Sequence, residues 1–238
     1  MRVLVCAATR AERDACRRGI LAAAAGGAAG GRAGGGATTH ELLLTGVGPR
    51  RAARSLAARL ARGSLPDVVV SSGFAGALSP GLALSSLITG ARVSEWDGVA
   101  RVPVDAGVLV CAPGLVRCDV VSSSTLVVSA EDALDGGSAL AVADMESAAL
   151  GREAARRGVP FAIVRVISDT PAHPLPAFMS PFAAAMAAEG TASRLASAGR
   201  GLRAAVAHPL AVVRLVQESA RWLRALEDGW RSLAPWPA

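Results

Sequence analysis

Apolar and polar positions along the chain fall into blocks that alternate between two periods. Short continuous apolar runs, "VLVCAA" (3–8), "ELLLTGVGP" (41–49) and "PDVVVSSGFAGAL" (66–78), read as buried strands. Between them, 12–25 and "RRAARSLAARLARG" (50–63) repeat small and apolar residues at helical spacing. Shorter strands are predicted near 84–89, 108–112 and 120–129. A strand running into a helix is predicted over "ALAVADMESAALGREAARRG" (139–158), and a last buried strand over "VPFAIVRVISD" (159–169). Strands that are apolar throughout, rather than alternating, belong to a sheet covered on both faces. Alternation with helices makes that sheet largely parallel. The expected fold is therefore α/β, a three-layer α/β/α sandwich around a mixed, largely parallel sheet. Residues 1–180 are expected to form the α/β domain proper. Residues 181–238 form a basic helical extension, in which 209–233 places Val212, Val216, Leu223, Leu226, Trp230 and Leu233 near one face. That helix either packs on the domain or lies at a membrane surface, its arginines on the other face.

Composition narrows the functional classes. The chain has 238 residues and is 52% hydrophobic and 18% charged, which suits a packed core. Its net charge is +6, with arginine the only basic residue besides histidine. Aromatics are 3% and tyrosine is absent, so the basicity comes without stacking residues and nucleic-acid binding is not expected. No apolar run reaches the roughly 20 residues of a spanning helix. The N-terminal apolar run is too short for a signal peptide and suits a first strand, so a cytoplasmic location is the default, with membrane association left open by the extension. Cys6, Cys16, Cys111 and Cys118 make no CxxC pair and no histidine cluster joins them, so buried reduced thiols are expected and no metal. The low-complexity "GGAAGGRAGGG" (26–36) reads as a surface loop.

In parallel sheets ligands lie beyond the carboxyl ends of strands, and five such exits carry chemistry. They are Glu12 within "ATRAERD", Gly46-Val47-Gly48, "SSGFAGAL" with Gly73, Phe74, Ala75 and Gly76, then Asp144-Met145-Glu146, and Ser168-Asp169. "GVGP" does not complete GxGxxG, because Arg51 stands where the last glycine belongs, which speaks against a dinucleotide site. Arg165, inside an apolar strand, requires a carboxylate or another acceptor once buried. Each exit also has a plain structural reading: a tight turn, a helix cap, or a helix start with alternating charges.

In their order, "CAATRAE", "TGVGP", "SSGFAGAL", "VADMESAAL" and "VPFAIVRVISD" resemble the nucleoside phosphorylase/nucleosidase superfamily, that of purine nucleoside phosphorylases and methylthioadenosine/S-adenosylhomocysteine nucleosidases. The resemblance implies cleavage of an N-glycosidic bond. It makes Asp169 the general acid toward purine N7 and Ser168 its orienting hydroxyl. Glu146 becomes the acceptor for the ribose 2′ and 3′ hydroxyls, Met145 a contact to the sugar face, and Arg165 a charge near the nucleophile. Glu12 matches the glutamate that polarises water in the hydrolytic members. Arg10 and Arg13 flank it and leave phosphate open as a co-substrate. No other cofactor is implied, and a homodimer is. The segment 129–139 is short and lacks an aromatic residue to stack on adenine, leaving Asp132 and Leu134 as weak base contacts. The arginine-rich tail resembles the hopanoid-associated phosphorylase subgroup, which implies adenosylhopane, a lipid-linked adenine nucleoside. Methylthioadenosine/adenosylhomocysteine nucleosidase and futalosine hydrolase remain alternatives, as does a nucleoside-binding protein of the same fold without catalysis.

Overall fold

The structure, a computed structural model, describes residues 1–27, 38–110, 114–126, 140–188 and 190–234. Cys111, Asp132 and Leu134, and nearly all of the glycine-rich loop expected at 26–36, lie outside the described residues. Among the described residues, nine strands form one sheet. They are β1 (Arg2–Ala7), β2 (Thr39–Leu44), β3 (Val68–Ala77), β4 (Leu87–Trp96), β5 (Arg101–Pro103), β6 (Val108–Leu109), β7 (Val116–Ser123), β8 (Ala141–Asp144) and β9 (Phe161–Asp169). The helices are α1 (Arg10–Gly27), α2 (Pro49–Leu60), α3 (Ser147–Arg156), α4 (Met179–Ala187), α5 (Thr191–Ala207) and α6 (Pro209–Leu233).

The two faces of the sheet explain why its strands are apolar at every position. Val3, Val5, Val68, Val70, Ala162 and Val164 face α1 and α6. Their neighbours Leu4, Cys6, Val69, Phe161 and Ile163 face α2 and α3. The central strands β1, β3 and β9 thus bury both of their side-chain rows, the expected three-layer arrangement, while β2, β5 and β6 are partly exposed.

The sheet is mixed, as expected, and it also closes. β3 pairs with β8 and β9, β8 with β7, β7 with β4, and β4 with β9, which completes a ring. β3–β8 and β4–β9 are antiparallel, while β1–β2, β1–β3, β3–β9, β4–β7 and β7–β8 are parallel. One edge of β3 changes partner partway. Val68–Ser72 pair with β1, and Gly76–Ala77 pair with β8 running the opposite way. The carboxyl ends of β1 and β8 therefore point at each other across Gly73–Ala75, and the chain leaving each strand has to turn out of the sheet there.

α6 packs on α1 and against the sheet. Trp222, Leu226, Trp230 and Leu233 are its buried residues. The buried stripe is shifted from the expected one, because Val216 is 63% exposed and Trp222 takes the inward place. Trp230 is fully buried, and its indole Nε1 donates to Ser72 Oγ at 2.9 Å, so the helix is bonded to β3 itself. The two helices approach closely at Gly19 of α1, where an added Cβ would lie 2.8 Å from Trp230 Cβ and 2.9 Å from Arg231 N.

Gly19→Ala separates packing from propensity. A helical Gly→Ala exchange ordinarily gains up to about 1 kcal/mol, whereas overpacking costs about 1–3 kcal/mol. The expected outcome is a net loss of stability in chemical denaturation. A more stable variant would show that α6 does not seat on α1.

Candidate active site

The gap where β1 and β8 meet end to end is the floor of a cavity of about 560 Å³. It brings Glu12, Phe74, Ala75, Gly76, Met145, Glu146, Ser168 and Asp169 together from four separate stretches of chain. Gly73 and Arg165 stand behind that wall and do not line it.

Glu12 is placed by the start of α1. Thr9 Oγ1 accepts from the Glu12 N–H at 3.2 Å, and Glu12 Oε2 accepts from the Thr9 N–H at 2.8 Å and from the Thr9 hydroxyl at 2.7 Å. This reciprocal pattern is a capping box, legible as T-x-x-E at 9–12. The other oxygen, Oε1, accepts from the Phe74 N–H at 3.1 Å. Glu12 is thus buried, and its role in the fold is a cap rather than a solvated charge.

The glycines of "SSGFAGA" make room for acids. A Cβ on Gly73 would collide with Glu12 Oε1 and lie 2.8 Å from Arg165 Nη1. A Cβ on Gly76 would lie 2.7 Å from Asp169 Oδ2. Gly73 also has φ +152°, so side chain and backbone both exclude a substitute.

Asp169 is aimed by a β-bulge. The β3–β9 ladder runs in register from Val69↔Phe161 to Ala75↔Ile167 and then skips to Gly76↔Asp169. Ser168 is the extra residue, and one extra residue reverses which face the following side chain meets. Ser168 Oγ donates to Asp169 Oδ1 at 2.5 Å and lies 3.3 Å from the Ala75 carbonyl. Burial raises the Asp169 pKa, and the Ser168 bond only partly opposes it.

Behind the floor lies a buried ion pair. Arg165 Nη2 donates to Asp144 Oδ2 at 2.5 Å, to Ser71 Oγ at 2.7 Å and to Ser147 Oγ at 3.0 Å. The hydroxyls of Ser122 and Ser147 also donate to Asp144, and so does the Ser147 N–H at 3.3 Å. Arg165 Nε, also buried, has no hydrogen-bond partner among the described residues. Burial opposes the charge on Arg165, but Asp144, Glu146 and Glu12 together raise its pKa. The acceptor that a buried arginine requires is thus Asp144, which the sequence alone also allowed as a helix cap. Glu146, two residues on, faces the cavity, and its Oε1 accepts from the Gly48 N–H at 2.8 Å. Burial pushes its pKa up to about 7; Arg165 pulls it down and Asp144 pushes it up.

Three contributors escape sequence reading. Thr9 lies on the wall and could have been found from the capping box. Trp222 reaches the cavity from α6 and meets Phe74 edge-on, ring centroids 5.8 Å apart. The stretch from Pro174 to Met186 supplies an apolar wall with Leu175, Met179, Ala183 and Met186, where neither period nor motif stands out. Arg10 and Arg13 do not line the cavity; Arg10 is exposed and Arg13 binds Asp14 at 2.7 Å. Among the described residues no group of three or more His, Cys, Asp or Glu could hold a metal ion. No helix among them is long and apolar enough to cross a membrane.

Residues 93–198 match the family model described as Phosphorylase superfamily. The matched span holds Asp144, Met145, Glu146, Arg165, Ser168 and Asp169; Glu12 and Phe74 precede it. Among solved structures, the fold is similar to a 5′-methylthioadenosine/S-adenosylhomocysteine nucleosidase of Helicobacter pylori (TM-score 0.56, 17% identity, 87% of this chain and 97% of that one). It is also similar to a single-residue variant of an MTAN of Chlamydia trachomatis bound to MTA (TM-score 0.55, 16% identity, 98% of each chain). A futalosine hydrolase mutant of Helicobacter pylori matches with a TM-score of 0.54 at 19% identity, over 87% of this chain and 98% of that one. Residues 93–198 thus carry the sequence pattern of the Phosphorylase superfamily, and the fold is shared with nucleosidases over nearly the whole chain.

Proposed function

We propose that the protein hydrolyses the N-glycosidic bond of an adenine nucleoside bearing an apolar 5′ substituent. The observation that carries this reading is a cavity lined by four acids, Asp144 neutralised by Arg165 behind it and Glu12, Glu146 and Asp169 in three other settings, with no arginine or histidine among the described residues of its wall. Asp169, its pKa raised by burial, is suited to hold a proton and donate it to the departing purine. Glu146 in its ionised form accepts two ribose hydroxyls. Glu12 has both oxygens engaged by fixed donors, and it remains the acid on the side of the cavity away from Asp169's bulge that can polarise water. This wall favours water over phosphate, since an anionic co-substrate would meet carboxylates on it. Arg165 is already committed to Asp144.

The neighbour bound to MTA supports adenine as the base. The apolar wall of Phe74, Trp222, Leu175, Met179 and Met186 supports a bulky hydrocarbon at the 5′ end. Adenosylhopane fits that description better than futalosine, whose 5′ extension carries polar groups. The arginine-rich tail resembling the hopanoid-associated subgroup supports the same choice.

Asp169→Asn is expected to lower kcat by about 10²–10⁴-fold in an adenine-release assay, with binding retained in calorimetry; undiminished turnover would leave a nucleoside-binding protein. Glu12→Gln retains the capping pattern, which accepts Gln as well as Glu, yet should lose hydrolysis to a similar extent. Inorganic phosphate should not accelerate the native protein, and stimulation by phosphate would replace hydrolysis with phosphorolysis. Across adenosine, methylthioadenosine, futalosine and adenosylhopane, Trp222→Ala should lower kcat/KM most for the largest apolar 5′ group, by roughly tenfold; an equal loss for all four would remove Trp222 from substrate selection.

Glu146 links activity to pH and to stability with opposite demands. Its folded pKa of about 7 lies above the ordinary 4.5. The native state therefore holds this proton more tightly than the unfolded chain does. The associated stability is full below pH 4.5 and is lost as pH rises through 7. Substrate binding needs the ionised form, so kcat/KM should fall as pH drops below about 7, while the raised pKa of Asp169 keeps it protonated to higher pH than an exposed aspartate. Glu146→Gln should abolish turnover and raise Tm relative to the native protein by a margin that grows between about pH 5 and pH 8. A margin constant with pH would mean that Glu146 is ionised throughout.

A further inference from the structure

We propose that α5 and the first half of α6 form a docking surface for an anionic lipid bilayer. Six large apolar side chains stand out in solvent there: Leu195, Leu202 and Val206 on α5, and Leu210, Val213 and Val216 on α6. Their exposures run from 53% for Val213 to 85% for Leu210. On α5 the spacings of seven and four residues keep all three on one helical face. Exposed leucines and valines occur singly on most proteins, but six on two consecutive helices form a surface that needs an explanation.

Charge decides between occupants. From Gly190 to Gln217 the chain has Arg194, Arg200, Arg203 and Arg214, and no Asp or Glu. All four arginines are exposed. Arg200 donates to Ser197 and Arg214 pairs with Glu218, just past the stretch. A second copy of this chain docked through the same face would set arginine against arginine. A bilayer of anionic lipid offers hydrocarbon for the six apolar side chains and negative headgroups for the arginines, an attraction that grows with each basic residue near such a surface.

α4 links this surface to the cavity. α4 lines the cavity with Met179, Ala183 and Met186, and Met186 is 42% exposed. α4 is tied to α5 where the Phe182 ring lies on Gly201, next to Leu202. Docking would set the mouth against the membrane, a direct route for a nucleoside with a hydrocarbon tail. That last consequence rests on the proposed function; the docking itself does not.

The test is flotation of the full chain with vesicles of phosphatidylcholine alone and of phosphatidylcholine with about one third phosphatidylglycerol. Binding is expected to the anionic vesicles only, and to fall at least roughly tenfold between about 0.1 M and 0.5 M salt. Val206→Asp/Leu210→Asp should abolish it, and Arg203→Glu should weaken it several-fold. None of these positions touches the cavity, so adenine release from a soluble nucleoside should be unchanged, which also reports an intact fold. Failure of both vesicle types to carry the protein overturns the proposal. So does a dimer in sedimentation analysis that the Asp variants dissociate while vesicles bind neither form. Either result would leave glycosidic cleavage standing.

Discussion

The buried pair of Arg165 and Asp144 is the constraint around which this molecule is arranged. A guanidinium in the interior costs several kcal/mol in lost hydration and is tolerable only where its acceptors are fixed. Here the acceptors come from distant parts of the chain: Ser71 on β3, Asp144 at the end of β8 and Ser147 at the start of α3, with Ser122 of β7 binding the same carboxylate. The pair therefore joins four strands of the closed ring at one point. It also holds apart the two strand ends that meet at Gly73–Ala75, and that separation is the cavity floor. Such a pair contributes little to net stability compared with an apolar filling. Its effect is to specify one arrangement, because any slip of β9 against β3 would strand a charge.

The acids on the cavity draw their differences from this frame. Glu146 sits near both members of the pair, so its protonation balances burial and Asp144 against Arg165. Asp169 is farther along β9, past the bulge, where burial and one serine hydroxyl set its state. Placing one carboxyl to be ionised and another to be protonated in the same small cavity takes unlike environments, and the ring provides them just beyond β8 for Glu146 and at the end of β9 for Asp169.

Much of the fold was legible because its signals are local. Continuous apolar strands pointed to the buried sheet, and the D-M-E-S stretch lies at a helix start, whereas the equally local T-x-x-E at 9–12 went unread. The acids on the floor were legible too, since strand exits are where an α/β sheet can hold a ligand. What escaped is long-range. The closure of the ring depends on β4 pairing antiparallel with β9, a choice that leaves no mark on either strand's period. β5 has three residues, too few to show alternation. Trp222 looks in sequence like any aromatic on an amphipathic helix, and a rotation of α6 by part of a turn decides whether it or Val216 faces inward. Arg165 was visibly out of place, but its partner could be named only once β8 lay beside β7.

Thr9 and Glu12 tie the start of α1 to the cavity wall. The same carboxylate that closes the first turn of the helix and anchors the Phe74 amide is the one that the proposed reaction sets against the attacking water. A change at position 12 toward a cation would therefore do more than alter what the cavity accepts. It would open the helix start, release the Phe74 amide of β3 from its anchor, and bring a second positive charge close to Arg165. Under the proposed reaction, the choice of nucleophile is therefore inherited with the architecture of the first β–α turn, and exchanging water for an anion would mean rebuilding that turn in the same step.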